Sequence, residues 1–302
     1  MFKLGSGSGK SLTRLKNSQH NQSMHCKVDD SDTTELFQRH RVRDWRPQPS
    51  KRTWLKAVYD EDARNLLRFA MFPLELQYVY LHSITLPKTN LVFVKNSKAG
   101  CTSVAHILRH ATCDQPLNKR IHEDYELLQQ GYNFWTTACC ALRSKDTFKF
   151  TTVRHPLKRL KSAFLDIFVE KRNPASKRHS ETIAWVERCG SDSLDRRFSR
   201  FLDFAQRDIQ VLGVEADRHW RPQVQNIALD HINYNMVGRI EEAERWLPEV
   251  FHITGLPRGT IRPAGLRWNA SKTPDFTVAP SDIRRVEQLF SSDYELYEKM
   301  KL

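Results

Sequence analysis

The chain has few cysteines and no long apolar run near its start. It contains six cysteines in 302 residues, and no two of them form a Cys-x-x-Cys pair. Cysteines this few and scattered exclude a disulfide scaffold and argue against a structural zinc site, so a reducing compartment is the simpler interpretation. No apolar stretch in residues 1–50 approaches the length of a signal-peptide core or a membrane span. We therefore expect no transmembrane anchor in this chain.

A Walker nucleotide-binding loop is also absent. Residues 5–11, GSGSGKS, imitate part of one, but Leu4 stands where the first glycine belongs. Too few residues precede this stretch to form the strand that supports such a loop. A kinase or NTPase would also need an aspartate that holds magnesium at a strand end, and no candidate is evident.

Acidic residues are outnumbered by basic ones. The chain has 48 Lys and Arg against 35 Asp and Glu, a net charge of +13. This excess points to an anionic partner, which could be a nucleic acid, a phosphorylated cofactor, an acidic glycan or a membrane surface. The basic residues are spread along the chain instead of alternating with aromatics in one region, so nucleic acid is not expected. A basic, non-enzymatic module that binds a polyanion stays an alternative.

Composition predicts one folded domain preceded by a tail. Residues 1–50 are polar and have neither helical nor strand periodicity, which is typical of a flexible tail. Residues 51–302 are long enough for a single domain with one large core, and the 39% hydrophobic content is that of a globular protein.

The first chemically informative stretch spans residues 90–107. Leu91–Val94 is an apolar run that predicts a buried strand, and apolar spacing from Thr102 onward predicts a helix that Thr102 or Ser103 could cap. A turn between a strand and a helix N-terminus is suited to binding anions, because unpaired amides and the positive end of the helix dipole face it. Lys98 adds a positive charge there, and Gly100 allows a phosphate to approach the backbone closely.

A second strand–turn–helix unit follows. Phe148–Val153 predicts a strand, Arg154 ends it, and Pro156 suits the first turn of the next helix. Two such units favour an α/β fold with a central parallel sheet flanked by helices, whose ligands lie at the carboxyl ends of the strands. Further predicted elements are helices over residues 54–80 (ending near Pro73), 194–205, 243–251, 281–290 and 293–301, and a strand over 234–237.

Residues 97–103, SKAGCTS, resemble the 5′-phosphosulfate loop of Golgi-type carbohydrate sulfotransferases and of similar bacterial proteins. Arg154 and Ser162 match the arginine and serine that bind the 3′-phosphate of the donor in that family. The chain departs from the family at Ser97, where proline is usual, and at His155, where an acidic residue or asparagine is usual. The resemblance implies a P-loop-like sulfotransferase fold and the donor 3′-phosphoadenosine 5′-phosphosulfate (PAPS). It assigns donor binding to Lys98, Ala99, Gly100, Cys101, Thr102, Ser103, Arg154 and Ser162.

Sulfuryl transfer sets the roles of the remaining candidates. The phosphate oxygen that leaves gains charge in the transition state, so a fixed cation is needed beside it, and Lys98 is the candidate. The acceptor hydroxyl needs a base that takes its proton. His122 is the first candidate for this base, because it lies between the two units as a histidine does in the similar 4-O-sulfotransferases. His219 is the second candidate. No metal is required. A basic, polar loop with Arg267, Ser271 and Lys272 is hypothesised to close over the donor nucleotide.

The resemblance therefore implies a PAPS-dependent sulfotransferase. The expected acceptor is a hydroxyl group of a glycan, possibly an acidic one, and the expected product is 3′-phosphoadenosine 5′-phosphate (PAP). Golgi members of the family carry an N-terminal membrane anchor, so the sequence favours a cytoplasmic protein; a truncated or unanchored form in the Golgi lumen is the alternative. A P-loop kinase or NTPase and a polyanion-binding module stay as competing hypotheses.

Overall fold

The structure is a computed structural model. It describes residues 50–86, 89–112, 140–188, 192–257 and 275–300.

In these ranges, the chain forms four strands and twelve α-helices. The strands are β1 (Ser83–Leu86), β2 (Leu91–Val94), β3 (Phe148–Val153) and β4 (Met236–Arg239). The helices are α1 (Lys51–Lys56), α2 (Glu61–Ala70), α3 (Leu74–Leu81), α4 (Cys101–Thr112), α5 (Pro156–Phe164), α6 (Ala175–Arg178), α7 (Ser180–Val186), α8 (Leu194–Leu212), α9 (Gln223–Asn226), α10 (Ala243–Thr254), α11 (Pro280–Leu289) and α12 (Ser291–Lys299). A π-helical turn, Leu165–Val169, continues α5.

The strands form one sheet in the order β1-β2-β3-β4. β2 and β3 run parallel, as do β3 and β4. β1 pairs antiparallel with β2, because the few residues between these two strands allow only a direct reversal, whereas a parallel pair needs a long crossover. The predicted α/β class with a central parallel sheet is confirmed, and β1 adds an antiparallel edge strand that the sequence did not reveal.

Both faces of the sheet are covered. Along β2, Leu91 and Phe93 pack into one hydrophobic core with α4 and α10, while Val92 and Val94 pack into a second core on the opposite face. Side chains alternate between the two faces of a strand, so a strand covered on both sides must be apolar throughout. This explains why β2 is a continuous apolar run. A third core lies among helices α5, α7, α8 and α11.

Several element boundaries differ from the sequence prediction; α8, for example, was predicted to end at residue 205 and runs to Leu212. The region predicted as one helix over residues 54–80 forms α1, α2 and α3, and Pro73 lies at the N-cap of α3. β4 begins at Met236 instead of Tyr234. The Asn235 side chain accepts the Lys149 backbone N–H at 2.8 Å, which takes the place of a ladder bond between the two main chains.

Candidate functional site

The first predicted loop connects β2 to α4. Lys98 and Gly100 both have left-handed backbone angles, with φ of +64° and +77°. A Cβ atom on Gly100 would lie 2.4 Å from the Ile240 side chain, so this position requires glycine for space as well as conformation. α4 begins at Cys101, so Thr102 and Ser103 lie within its first turn and do not precede it as caps.

Buried hydrogen bonds attach this loop to β3. The Thr152 hydroxyl donates to the Ala99 carbonyl at 2.7 Å, and the fully buried Asn96 side chain donates to the Thr152 carbonyl at 2.9 Å. Arg159 is also buried, and it donates to the Ser97 carbonyl at 2.9 Å and to the Arg218 carbonyl at 2.8 Å. Because these groups have no access to bulk water, losing a partner would be costly, and the bonds hold the loop in one shape.

The second loop places Arg154 directly beside the first. Gln223 binds the Arg154 main chain at two points, since its Oε1 accepts the backbone N–H at 2.9 Å and its Nε2 donates to the carbonyl at 2.8 Å. The guanidinium donates through one terminal nitrogen to the Lys98 carbonyl at 3.2 Å. Burial lowers the pKa of Arg154, and the Glu241 carboxylate opposes that shift. The structure thus brings the two predicted loops into contact.

Ser162 lies on α5, eight positions after Arg154, and is half-buried. Among the hydrogen bonds of the described residues, none joins Ser162 to Arg154. The assignment of Ser162 to the 3′-phosphate therefore stays a prediction. His122, Arg267, Ser271 and Lys272 lie outside the described residues.

Lys98 forms an ion pair that the sequence did not predict. Its ammonium lies 2.7 Å from Oδ2 of Asp166, and the two side chains are 16% and 17% exposed. Burial alone would raise the pKa of Asp166, but the charge and hydrogen bond of Lys98, together with the Asn173 amide, hold this pKa below its ordinary value. Asp166 is therefore ionised at neutral pH and balances the Lys98 charge.

His219 is buried next to this ion pair. Its Nδ1 lies 2.6 Å from Oδ1 of Asp217, whose other oxygen lies 2.9 Å from Nε2 of His179. Its Nε2 lies 3.4 Å from the Asn173 amide nitrogen, which donates to Asp166 at 3.0 Å. Burial is the main cause that lowers the pKa of His219 to about 4, although Asp217 acts in the opposite direction. The imidazole is therefore neutral at neutral pH and able to accept a proton.

Several of these residues were not predicted from the sequence as part of the site. Asn96, Asp166, Asn173, Asp217 and Gln223 each hold a predicted residue or loop in place, yet none belongs to a recognisable motif. One weak signal existed for Asp166, which follows Ser162 by four positions and so extends the same side of the helix.

The arrangement could hold an anion with two phosphate groups. Two loops meet at the carboxyl ends of the parallel strands β2 and β3, and each precedes a helix N-terminus. Lys98 and Arg154 provide one cation on each loop, and His219 provides a neutral base nearby. Within the described ranges, no cluster of three or more His, Cys, Asp or Glu side chains forms a metal site. No helix there is both long and apolar enough to span a membrane.

Comparisons with known proteins identify the family of this chain. Residues 81–299 match a family model described as "Sulfotransferase family". The carbohydrate sulfotransferase 10 of Xenopus laevis is 30% identical over 172 residues, which cover 51% of this chain and 48% of that protein. The protein of the same name from Gallus gallus is 24% identical over 259 residues, covering 79% and 71%, and that from Mus musculus is 30% identical over 181 residues, covering 53% and 49%. This chain spans about half the length of most of these relatives, and no solved structure matches it.

The expected cytoplasmic location is wrong. The matched relatives are carbohydrate sulfotransferases of the Golgi, which are lumenal enzymes. The expectation rested on cysteine content and on the absence of an apolar anchor near the start of the chain, and neither feature determines the compartment.

Proposed function

The chain belongs to the sulfotransferase family, and on that premise we propose that it transfers a sulfuryl group from PAPS to a hydroxyl group of a carbohydrate. The observation that carries the proposal is the 3.2 Å hydrogen bond from the Arg154 guanidinium to the Lys98 carbonyl. The donor has phosphate groups at its 5′ and 3′ positions, and this contact brings together the two loops assigned to them.

Lys98 acts on the departing side of the reaction. The bond between sulfur and the bridging phosphate oxygen breaks, and that oxygen gains negative charge as PAP leaves. An ammonium fixed beside it stabilises the transition state more than the ground state, which is the condition for faster turnover. Gly100 and the first turn of α4 supply backbone N–H groups for the same phosphate.

His219 acts on the arriving side. The acceptor oxygen forms the new bond to sulfur and gives its proton to Nε2 of His219, while Asp217 stabilises the charged imidazole through Nδ1. The bonds through Asn173 and Asp166 to Lys98 support this role, since they connect the two catalytic side chains. His122 stays the alternative base, and Arg267, Ser271 and Lys272 stay proposed as a loop over the donor.

The acceptor is proposed to be a glycan because the relatives are named carbohydrate sulfotransferases. The net charge of +13 is compatible with an acidic glycan. Neither the reaction nor the side chains described above requires a metal ion.

The proposal is tested first by calorimetry without an acceptor. PAP should bind in the presence of EDTA, and ATP and ADP, which lack a 3′-phosphate, should bind much more weakly. A kinase or NTPase would show the reverse preference and would need magnesium. Binding that follows total anion charge without regard to the 3′-phosphate would favour the polyanion-binding module.

Transfer is then tested with sulfur-labelled PAPS and a panel of acceptors. Neutral glycans, acidic glycans, a simple alcohol and a phenol separate the substrate classes, with the Arg154→Ala protein as a negative control. Label in a glycan supports the proposal. Label only in the alcohol or phenol would retain the sulfotransferase and overturn the carbohydrate assignment.

A further inference from the structure

Asp166 and Asn173 lie between the two catalytic side chains without an assigned role. Asp166 is bonded to Lys98 at 2.7 Å and to the Asn173 amide at 3.0 Å. The same amide nitrogen lies 3.4 Å from Nε2 of His219. A chain of side-chain contacts therefore runs from the loop lysine to the buried histidine.

The backbone deviates from regular structure at Asp166 and close to Asn173. Asp166 belongs to the π-helical turn Leu165–Val169, in which the Glu170 N–H bonds to the Leu165 carbonyl. Such turns are rare and occur frequently at functional sites. Asn173 follows closely after Lys171, whose φ of +52° is unusual for a residue other than glycine and costs energy. Both deviations thus lie in the segment that carries the side chains bonded to Lys98 and close to His219.

The hydrogen bonds of Asn173 define the state of His219. The Asn173 carbonyl oxygen accepts the Ala175 backbone N–H at 3.0 Å, which fixes the orientation of the amide. Its nitrogen therefore donates, with one hydrogen towards Asp166 and the other towards His219. Nε2 of His219 must then accept, and Nδ1 carries the hydrogen that is donated to Asp217. This tautomer has its lone pair on Nε2, and the Asn173 N–H must withdraw from that lone pair before Nε2 can take a proton from an acceptor.

An incoming phosphate competes with Asp166 for Lys98. Both are anions, and one ammonium cannot serve both at full strength. When Lys98 moves to the phosphate, the Asp166 carboxylate keeps its bond from Asn173, and Arg172 lies 3.8 Å from its other oxygen. The carboxylate is thus able to release Lys98 without being left unpaired.

We propose that Asp166 is a positioning residue that holds Lys98 in place until the donor phosphate takes over the ammonium, while Asn173 connects this exchange to His219. The inference rests on the proposed function, because it requires a phosphorylated donor at Lys98. The inference also explains how Lys98, which is already in an ion pair with Asp166, is available for catalysis. Part of the binding free energy of the donor is used to separate Lys98 from Asp166.

The test is the affinity for PAP of the Asp166→Asn protein. The substitution keeps the size of the side chain but removes the competing charge, so PAP should bind about two- to fivefold more tightly, the scale of one partly exposed ion pair. A residue with only a structural role would weaken binding or leave it unchanged. Glu187→Gln is the matched control, since it removes one negative charge that pairs with Lys171 and Arg197 instead of Lys98.

A double-mutant cycle separates competition for Lys98 from a general charge effect. In a Lys98→Ala background, Asp166→Asn should no longer tighten PAP binding. The proposal is overturned if Asp166→Asn still increases the affinity for PAP in the Lys98→Ala background. It is also overturned if Glu187→Gln increases this affinity as much as Asp166→Asn does. If Asp166→Asn does not fold, Asp166→Ser gives the same comparison. Failure of the wild-type protein to bind PAP would instead overturn the proposed function.

Discussion

Replacing Arg154 by alanine tests the assignment of the second loop to the 3′-phosphate. The substitution removes the guanidinium and leaves the loop attached, because Gln223 binds only the Arg154 backbone N–H and carbonyl. The one hydrogen bond known to be lost is that to the Lys98 carbonyl. The protein should therefore fold with a stability loss of about 1 kcal/mol, the usual net value of one hydrogen bond.

The effect on the ligand should be much larger. A phosphate dianion that loses its charged, hydrogen-bonded partner loses about 2–4 kcal/mol of binding free energy. This corresponds to roughly 30- to 1000-fold weaker binding of PAP. AMP lacks the 3′-phosphate, so its weaker affinity should change little.

Calorimetry with PAP and AMP measures both effects. Arg154→Lys keeps the charge but not the planar fork, and it should recover only part of the PAP affinity. Arg196→Ala removes an equal charge from a side chain that is 73% exposed and paired with Asp192, so it controls for the change in net charge. Thermal unfolding shows whether each variant is folded.

Two outcomes would refute the reasoning. If AMP binds to the wild-type protein as tightly as PAP, the 3′-phosphate has no recognition site. If Arg154→Ala weakens PAP and AMP to the same degree, Arg154 acts on the shared part of the nucleotide or on the loop as a whole.

The other predictions concern turnover, pH and stability. Lys98→Ala should lower turnover much more than affinity for the donor PAPS, measured by labelled transfer over a range of PAPS concentrations, because the charge that Lys98 meets grows towards the transition state. His219→Ala should keep PAP affinity and lose about 10²–10⁴-fold in turnover. The rate of the wild-type protein should fall only as the pH drops through about 4, because the neutral His219 imidazole is the active form and burial has lowered its pKa to that value. A normal rate in His219→Ala together with a large loss in His122→Ala would assign the base to His122. Gly238→Ala should destabilise the protein by about 1–3 kcal/mol in denaturant unfolding, since a Cβ there would lie 2.3 Å from the buried Trp246 ring; unchanged stability would show that the ring shifts freely.

Local patterns in the sequence predicted the two units of the site. β2 and β3 were predicted within the bounds that the structure has, because β2 is an apolar run and β3 is rich in Phe, Thr and Val, residue types that are enriched in strands. The helices after Gly100 and Arg154 were predicted from apolar spacing and from Pro156. The order of the two units was enough to expect Lys98 and Arg154 at the same edge of the sheet.

β1 was not predicted from the sequence because no local pattern marks it. It is an edge strand of four residues, and it follows a helix directly, so neither alternation nor a turn signal separates it from its neighbours. Its antiparallel pairing with β2 follows from the short connection between the two strands, but only once residues 83–86 are recognised as a strand.

The sequence by itself determined the strand–loop–helix units, the cationic residue in each loop and the family to which the chain belongs. Only the tertiary structure decided the partners of those residues. Lys98 and Asp166 are 68 positions apart, and Arg154 and Gln223 are 69 apart. Asn173 and His219 are 46 apart. Secondary-structure periodicity extends over a few residues, so it cannot encode which distant carboxylate, amide or imidazole will meet a given side chain. These contacts depend on how α5, its π-helical turn and the segment before α9 pack around the ends of β2 and β3.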